Sequence, residues 1–407
     1  MGGWSGDDGG PGPGPVTGAQ DDGPADDGLP LAPGLRDIRW MLRAVAEAGK
    51  VRGRTSPNPW VGAVVVPPAT GDPAGGEPGG DWYAGATAPA GGPHAEVTAL
   101  AAAGDQAELA TLYVTLEPCA HTGRTGPCTD VIIESGIRRV VVGIEDPDPL
   151  VQGRGIGVLR RAGIDVVVGV AAPAVRDQLA PYVKHRTTGR PWVVLKLAST
   201  LDGRIAAPDG SSRWITGDAA RRDAHRLRAR ADAVLVGAGT VRSDDPALTV
   251  RLPEGDPDHR GPDEQPLRVV LGTAPEGAAV HPALSLGGDL DDVLVELGRR
   301  GVLEVLVEGG AGVAHAFHSQ GLVDRYVLYL APALFGGDDA RPLFAGPGAP
   351  TIGTLWRGSV QSVTSLEPDL RVELAAHEGP GAGDAPSSAL GASAGRRGPV
   401  GQYRRIG

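Results

Sequence analysis

The stretch "LEPCAHTGRTGPC", residues 116–128, carries both cysteines of a 407-residue chain, Cys119 and Cys128. A chain that otherwise avoids cysteine and sets its only two so close together invites three readings: a disulfide, a metal site, or two small buried hydrophobes. On its N-terminal side, "TLYVTL" (111–116) reads as a strand that ends at Glu117-Pro118. On its C-terminal side, "CTDVIIESGI" (128–137) reads as a helix. The two cysteines therefore bracket a strand-to-helix connection.

Outward from that connection, strand and helix alternate. "RDIRWMLRAVAEAGKV" (36–51) spaces Ile38, Met41, Leu42, Val45 and Ala46 as one helical face, and "WVGAVVV" (60–66) is a strand. "HAEVTALAAAG" (94–104) is a helix stopped by Gly104. After the cysteines come strand "RRVVVGIED", helix "GIGVLRRAG" and strand "IDVVVGV". The Gly/Pro-rich stretch 67–93 reads as a long surface loop joining two strands. A linker is expected at 181–190.

A second series follows: strand "PWVVLKLAST", helix "AARRDAHRLRARA", strands "DAVLVGAGT" and "LRVVLG", helix "DLDDVLVELGRRG", strand "VLEVLVEGG", helix "VAHAFHSQG" and strand "DRYVLYLAP". Both series imply layered α/β domains, at 35–180 and 191–375. The segment 272–288 is too rich in Gly and Ala to assign. Residues 1–34 and 376–407 hold too few apolar groups to offset ordering entropy and are expected to be disordered tails.

Composition narrows the function. With 38 basic against 49 acidic residues the formal net charge is -11, which argues against a nucleic-acid partner. No run approaches the ~18 apolar residues of a membrane helix, and the start shows no secretory pattern. The expectation is a cytoplasmic protein without a membrane partner. A reducing compartment weakens the disulfide reading.

Metal chemistry fits better. Two thiolates need a third ligand, and "GGPHAEV" offers His94 just before a helix, with Glu96 two residues on. The zinc deaminase signature is H-x-E followed by P-C-x-x-C. His94-Ala95-Glu96 and Pro118-Cys119 fit it, although the second cysteine arrives later than the signature has it. His94, Cys119 and Cys128 would hold Zn2+ with a position left for water, whose pKa falls to about 7. Glu96 would be the catalytic group that carries the water proton to the ring nitrogen and on to departing ammonia. A structural zinc would need a fourth ligand, for which His121 is the candidate.

At this point the chain resembles a known family. "SPNPWVGAVVV", "GGPHAEVTAL", "YVTLEPCAHTGRTGPC" and "DPDPLVQGRGIGVLRRAGI" are similar to the deaminase half of the bifunctional riboflavin-biosynthesis deaminase/reductase. "LKLASTLDGRIA", "SSRWITG", "VGAGTVRSDDPALTVR" and "LVEGG" resemble its reductase half, itself similar to dihydrofolate reductase. The likeness spans roughly 36–375, in the family's order. It implies a cytidine-deaminase-like three-layer α/β/α domain followed by a dihydrofolate-reductase-like α/β domain. The implied reactions are hydrolytic deamination of a phosphorylated diaminopyrimidine, then NADPH-dependent reduction of its ribosyl group. The family also implies a homo-oligomer.

The resemblance carries over onto particular residues. In the deaminase half, Asn58 and Arg124 would bind substrate, Arg124 at its phosphate. In the reductase half, Ser212, Arg228, Leu248, Arg251 and Glu308 fall on the substrate side. Lys196, Ala198, Trp214, Thr240 and Asp244 fall on the cofactor side. Gly310, Ala311 and Gly312 open a helix whose free N–H groups suit a cofactor phosphate. Three departures stand out: Gly126 where the family often has proline, Thr87 where it often has histidine, and a compressed, weakly strand-like segment at 273–288.

Overall fold

The computed structural model describes residues 33–68, 81–121, 126–149 and 151–376. The expected tails lie outside the described residues except at their inner ends, where a helix begins at Pro33 and a strand runs to Ala376. The chain divides into two compact units between Thr187 and Thr188. Among the described residues no helix is long and apolar enough to cross a membrane.

The first unit contains α1 (Pro33–Gly49), β1 (Gly62–Val66), β2 (Tyr83–Ala86), α2 (Ala95–Ala103), β3 (Thr111–Leu116), α3 (Cys128–Glu134), β4 (Arg139–Ile144), α4 (Arg154–Arg161), β5 (Asp165–Val168) and α5 (Ala172–Gln178). Helix α6 (Ala180–Thr188) ends it, so the stretch read as a linker is helical for most of its length. The strand order is β2-β1-β3-β4-β5. β1 runs antiparallel to β2 and β3, whereas β3, β4 and β5 are parallel. The expected surface loop at 67–93 thus contains a sheet strand, β2, whose Gly/Ala-rich "YAGA" carries no strong apolar alternation.

Helix α1 presents a different face from the one its apolar spacing suggests. Trp40, Met41, Ala44 and Ala48 are buried, whereas Ile38 and Leu42 are exposed. Two interactions set the rotation. Asp37 accepts both Nη groups of Arg139, at 2.9 and 2.8 Å, and the Tyr113 hydroxyl at 2.9 Å. The small face at Ala44 and Ala48 lets β1 approach so closely that a Cβ on Gly62 would collide with the Ala44 carbonyl. A partly buried ion pair and close helix–sheet packing therefore outweigh exposure of two aliphatic side chains.

The second unit contains β6 (Trp192–Thr200), β7 (Arg204–Ala206), α7 (Asp218–Arg230), β8 (Ala233–Gly237), α8 (Ala238–Asp244), β9 (Leu267–Leu271), β10 (Leu284–Leu286), α9 (Leu290–Arg299), β11 (Glu304–Val307), α10 (Ala311–Ser319), β12 (Arg325–Ala331), β13 (Arg341–Pro342), β14 (Gly358–Leu366) and β15 (Asp369–Ala376). Eight strands form one sheet in the order β10-β9-β8-β11-β6-β12-β15-β14. It is parallel from β10 through β12 and antiparallel over the final hairpin. The segment too ambiguous to assign supplies β10, which pairs with β9.

Strand alternation builds a core on each sheet face. Val193, Leu195 and Leu197 of β6 pack with Leu294 and Leu297 of α9 and Phe317 of α10. Val194 faces the other way, with Ala220 and Ala224 of α7 and Val241 of α8. Helices on both faces of a mainly parallel sheet are the expected α/β architecture.

Candidate functional site

In the first unit three ligand atoms converge. The donor atoms of His94, Cys119 and Cys128 lie within 4.8 Å of one another. His94 Nδ1 is 3.1 Å from the Cys128 sulfur and 3.5 Å from the Cys119 sulfur. Each ligand comes from the end of an element. His94 is the N-cap of α2, Cys128 opens α3, and Cys119 lies just past β3. Both cysteines are free, so the disulfide reading falls. His121, weighed as a fourth ligand, is exposed and outside this group. Three N/S donors with no fourth among the described residues suit zinc in an open, catalytic coordination.

The protonation of the sulfurs agrees with that use. The hydrogen bond from Cys128 pulls the Cys119 thiol down to about 4, while the same contact and burial push Cys128 up. Zinc would bind both sulfurs as thiolates, displacing their protons.

Glu96, in the first turn of α2, is 4 % exposed. Burial pushes its carboxyl up to about 7, the range suited to a general base at neutral pH. Asn58 is partly buried, and its carbonyl accepts from the Thr55 hydroxyl at 3.0 Å. Arg124 lies outside the described residues. Thr87 is 3 % exposed, and its hydroxyl is engaged with the Val61 main chain, accepting from the N–H at 3.0 Å. This threonine extends the β1–β2 pairing.

In the second unit Arg228 and Lys196 meet at Glu308, one residue beyond β11. Arg228 Nε and Nη2 reach its two oxygens at 2.5 and 3.1 Å, and Lys196 Nζ lies at 3.7 Å. Burial alone would raise this carboxyl; the Arg228 and Lys196 charges override it and hold it at about 2. Arg228 Nη1 also donates to the Thr249 carbonyl at 3.1 Å. Its fork is therefore largely engaged within the protein, while the side chain of neighbouring Arg251 is exposed. Leu248 is buried and adopts a positive φ of 54°, turning the chain toward Arg251.

His225 belongs to this cluster, although the sequence reading passes over it. Its Nδ1 accepts the Arg251 N–H at 3.2 Å. Burial, then the Arg228 and Arg251 charges, pull its pKa down to about 4. The available signal was its position one turn before Arg228 on the same helix.

The cofactor-side residues occupy neighbouring elements. Ala198 lies on β6, paired with Tyr329 of β12. Thr240 and Asp244 lie on α8, which the sequence reading ran into the preceding strand. A Cβ on Gly310 would meet the Thr240 hydroxyl at 3.3 Å, which places α8 beside the N-terminus of α10. Gly310 caps α10, with Ala311 and Gly312 in its first turn. A Cβ at Gly312 would touch nothing, so the first turn of α10 leaves open space beside Gly312. Ser212 and Trp214 are exposed, Trp214 to 69 %. The Arg221 guanidinium stands 4.4 Å over the Trp214 ring, and Arg213 Nη2 donates to the Asp244 carbonyl at 2.9 Å.

Known proteins match both halves. Residues 35–144 match the cytidine and deoxycytidylate deaminase zinc-binding region, and residues 191–372 match the RibD C-terminal domain. The riboflavin biosynthesis protein RibD of Corynebacterium ammoniagenes is 47 % identical over 307 residues, covering 74 % of this chain and 87 % of that relative. RibD of Escherichia coli is 37 % identical over 375 residues, covering 84 % and 99 %. The solved structure of Acinetobacter baumannii RibD (form 1) superposes with a TM-score of 0.76 at 35 % identity, covering 84 % of this chain and 99 % of its own. A diaminohydroxyphosphoribosylaminopyrimidine deaminase/5-amino-6-(5-phosphoribosylamino)uracil reductase from Thermotoga maritima gives 0.72 at 34 % identity, covering 84 % and 99 %.

Proposed function

The chain belongs to the bifunctional riboflavin-biosynthesis deaminase/reductase family, and from that premise we propose how its own residues divide the work. The first unit is the zinc-dependent deaminase and the second the NADPH-dependent reductase. The first reaction replaces the 2-amino group of 2,5-diamino-6-(5-phosphoribosylamino)pyrimidin-4(3H)-one by oxygen, with water consumed and ammonia released. The second reduces the ribosyl group of the resulting aminouracil to its ribityl form.

In the deaminase, His94, Cys119 and Cys128 are the zinc ligands. Zinc supplies Lewis acidity that makes water nucleophilic at neutral pH. Glu96 carries one water proton to the ring nitrogen, which keeps it, and then the remaining hydroxyl proton to the amine, so that ammonia leaves as the new carbonyl forms. Its burial supports this role, because a carboxyl near neutrality can both accept and return a proton. Asn58 and Arg124 bind the substrate, Arg124 at the phosphate.

In the reductase, NADPH supplies the hydride. Gly310, Ala311, Gly312, Thr240 and Asp244 hold the cofactor, with Lys196, Ala198 and Trp214 around its reactive end. Glu308 fixes Arg228 and Lys196 beneath the substrate, and Arg251, with Ser212 and Leu248, faces it. The exposed guanidinium of Arg251 is better placed for a phosphate than the internally bonded Arg228. The reading extends to a homo-oligomer in a reducing, cytoplasmic setting that keeps both cysteines out of disulfides and available to zinc.

The observation that carries the deaminase assignment is the convergence of His94, Cys119 and Cys128 beside the buried Glu96. Glu96→Gln is expected to keep zinc and NADPH oxidation on preformed aminouracil while ammonia release falls at least 100-fold, about the general-base contribution. Ammonia release within twofold of wild type would refute the assignment.

A further inference from the structure

Glu117 stands between β3 and the ligand Cys119, and it is 4 % exposed. Its carboxylate accepts four main-chain N–H groups. Oε1 takes those of Gly155 at 2.9 Å and Ile156 at 3.2 Å; Oε2 takes those of Gly153 at 2.9 Å and Asp146 at 3.2 Å. Three of these donors lie at the N-terminus of α4, whose cap, Gly153, offers no side-chain acceptor. A carboxylate from a distant strand thus caps the helix. Gly155 completes the fit, since a Cβ there would collide with the Pro118 carbonyl. The start of α4 therefore lies directly against the peptide that precedes Cys119.

The opposite side of Cys119 is held by α3. Its carbonyl accepts the Thr129 N–H at 3.2 Å, and its sulfur accepts the Cys128 N–H at 3.4 Å. Pro118 has no N–H to contribute. Attachment of this segment on the α4 side thus runs through Glu117 and the Gly155 contact.

We propose that Glu117 is the positioning residue of the Cys119 ligand. By locking the Pro118–Cys119 peptide onto α4 it keeps one sulfur on the triangle with His94 and Cys128. His94 and Cys128 are carried by the N-termini of α2 and α3, and the first turn of α3 joins Cys119 through the Cys128 and Thr129 N–H groups. The proposal rests on the reading of these three residues as zinc ligands.

The test uses full-length protein stripped of metal and titrated with Co(II) and Zn(II). Wild type is expected to bind one ion per chain with thiolate-to-cobalt charge transfer from two sulfurs. In Glu117→Gln the amide nitrogen faces N–H donors, so the lock opens. The charge-transfer intensity per bound cobalt is expected to fall by about half, and zinc affinity at least ~10-fold, the usual effect of removing a residue that orients a ligand. Gly155→Ala, which displaces the same peptide and leaves the carboxylate intact, is expected to do the same and serves if Glu117→Gln does not fold. Val141→Ala, a core truncation in β4, is expected to lower the melting temperature and leave both metal readouts unchanged. Reduction of preformed aminouracil is expected to continue in all three variants. Wild-type metal binding by both Glu117→Gln and Gly155→Ala would overturn the proposal, as would an equal loss in Val141→Ala. Failure of wild type to bind any ion would instead overturn the ligand reading itself.

Discussion

Glu308 makes the reductase unit's acid stability predictable. Its carboxyl sits at about 2 in the folded protein against 4.5 as the ordinary value. Burial alone would raise it, and Arg228 and Lys196 override burial. A folded pKa below the unfolded one contributes stability that is complete above the unfolded value and is lost as pH falls through the folded value. A shift of this size corresponds to about 3 kcal/mol at pH 7, about 1 kcal/mol at pH 3, and little at pH 2. Glu308→Gln leaves the partly buried Arg228 and Lys196 without their carboxylate, as protonation of Glu308 does, so the variant lacks this pH-dependent contribution. The observable is therefore the change in the gap between wild type and variant. It should narrow by about 2 kcal/mol from pH 7 to pH 3, or roughly 4–8 °C in melting temperature for a unit of this size. Calorimetry on the full chain reads it, the reductase transition being the one that NADPH raises. His225 titrates in the same window, at about 4. Repeating the comparison on a His225→Asn background separates the two groups. A gap that stays constant between pH 7 and pH 3 on that background would show that Glu308 is not held ionised by its two partners.

Two other substitutions probe the deaminase unit. Asp37→Ala removes the acceptor shared by Arg139 and the Tyr113 hydroxyl. Because Arg139 is partly exposed, the expected cost is about 2–4 kcal/mol, below that of breaking a fully buried pair; a loss under about 1 kcal/mol in denaturant unfolding would contradict the account of the α1 face. Gly126→Ala should be tolerated, since Gly126 is not among the positive-φ glycines and an added Cβ meets nothing. Reduced unfolded-chain freedom should stabilise by about 0.4–1 kcal/mol, and a lowered melting temperature or a loss of zinc would refute it.

The parts of the fold legible in the sequence were those where burial dictates composition. β3 matches its reading residue for residue because every side chain but the first is buried, leaving an uninterrupted β-rich apolar run. The metal site was legible for a related reason: the chain has only two cysteines, and both follow His94-Ala95-Glu96 in family order, which is hard to attribute to packing. Elsewhere the pattern thins. β14 shows mainly exposed Ser, Thr, Gln and Val and has no apolar face to announce it. α8 follows β8 without a polar break, so "AVLVGAGT" read as one strand. The α1 face was misplaced because an ion pair and two alanines, rather than the largest aliphatics, decided its orientation. Glu117 and His225 escaped notice for a shared cause. Each acts on backbone N–H groups distant in sequence, and such partners leave no trace in residue spacing.

The sites at Glu117 and Glu308 use one device with different partners. Glu117 and Glu308 each stand one residue past the last residue of an interior strand, β3 and β11, at the carboxyl end where an α/β sheet opens its crevice. Both carboxylates are removed from water, so each needs partners from the protein. Around Glu117 the partners are four main-chain dipoles, and the result is a fixed peptide next to a metal ligand. Around Glu308 they are two cations, and the result is a fixed pair of charged side chains at the substrate side. The difference follows from what the neighbouring elements offer. The start of α4 brings uncapped N–H groups to the end of β3, whereas α7 and β6 bring Arg228 and Lys196 to the end of β11. A carboxylate bound by dipoles holds backbone and one bound by cations holds side chains, so substitution at Glu117 should register in metal coordination and substitution at Glu308 in substrate affinity and acid stability.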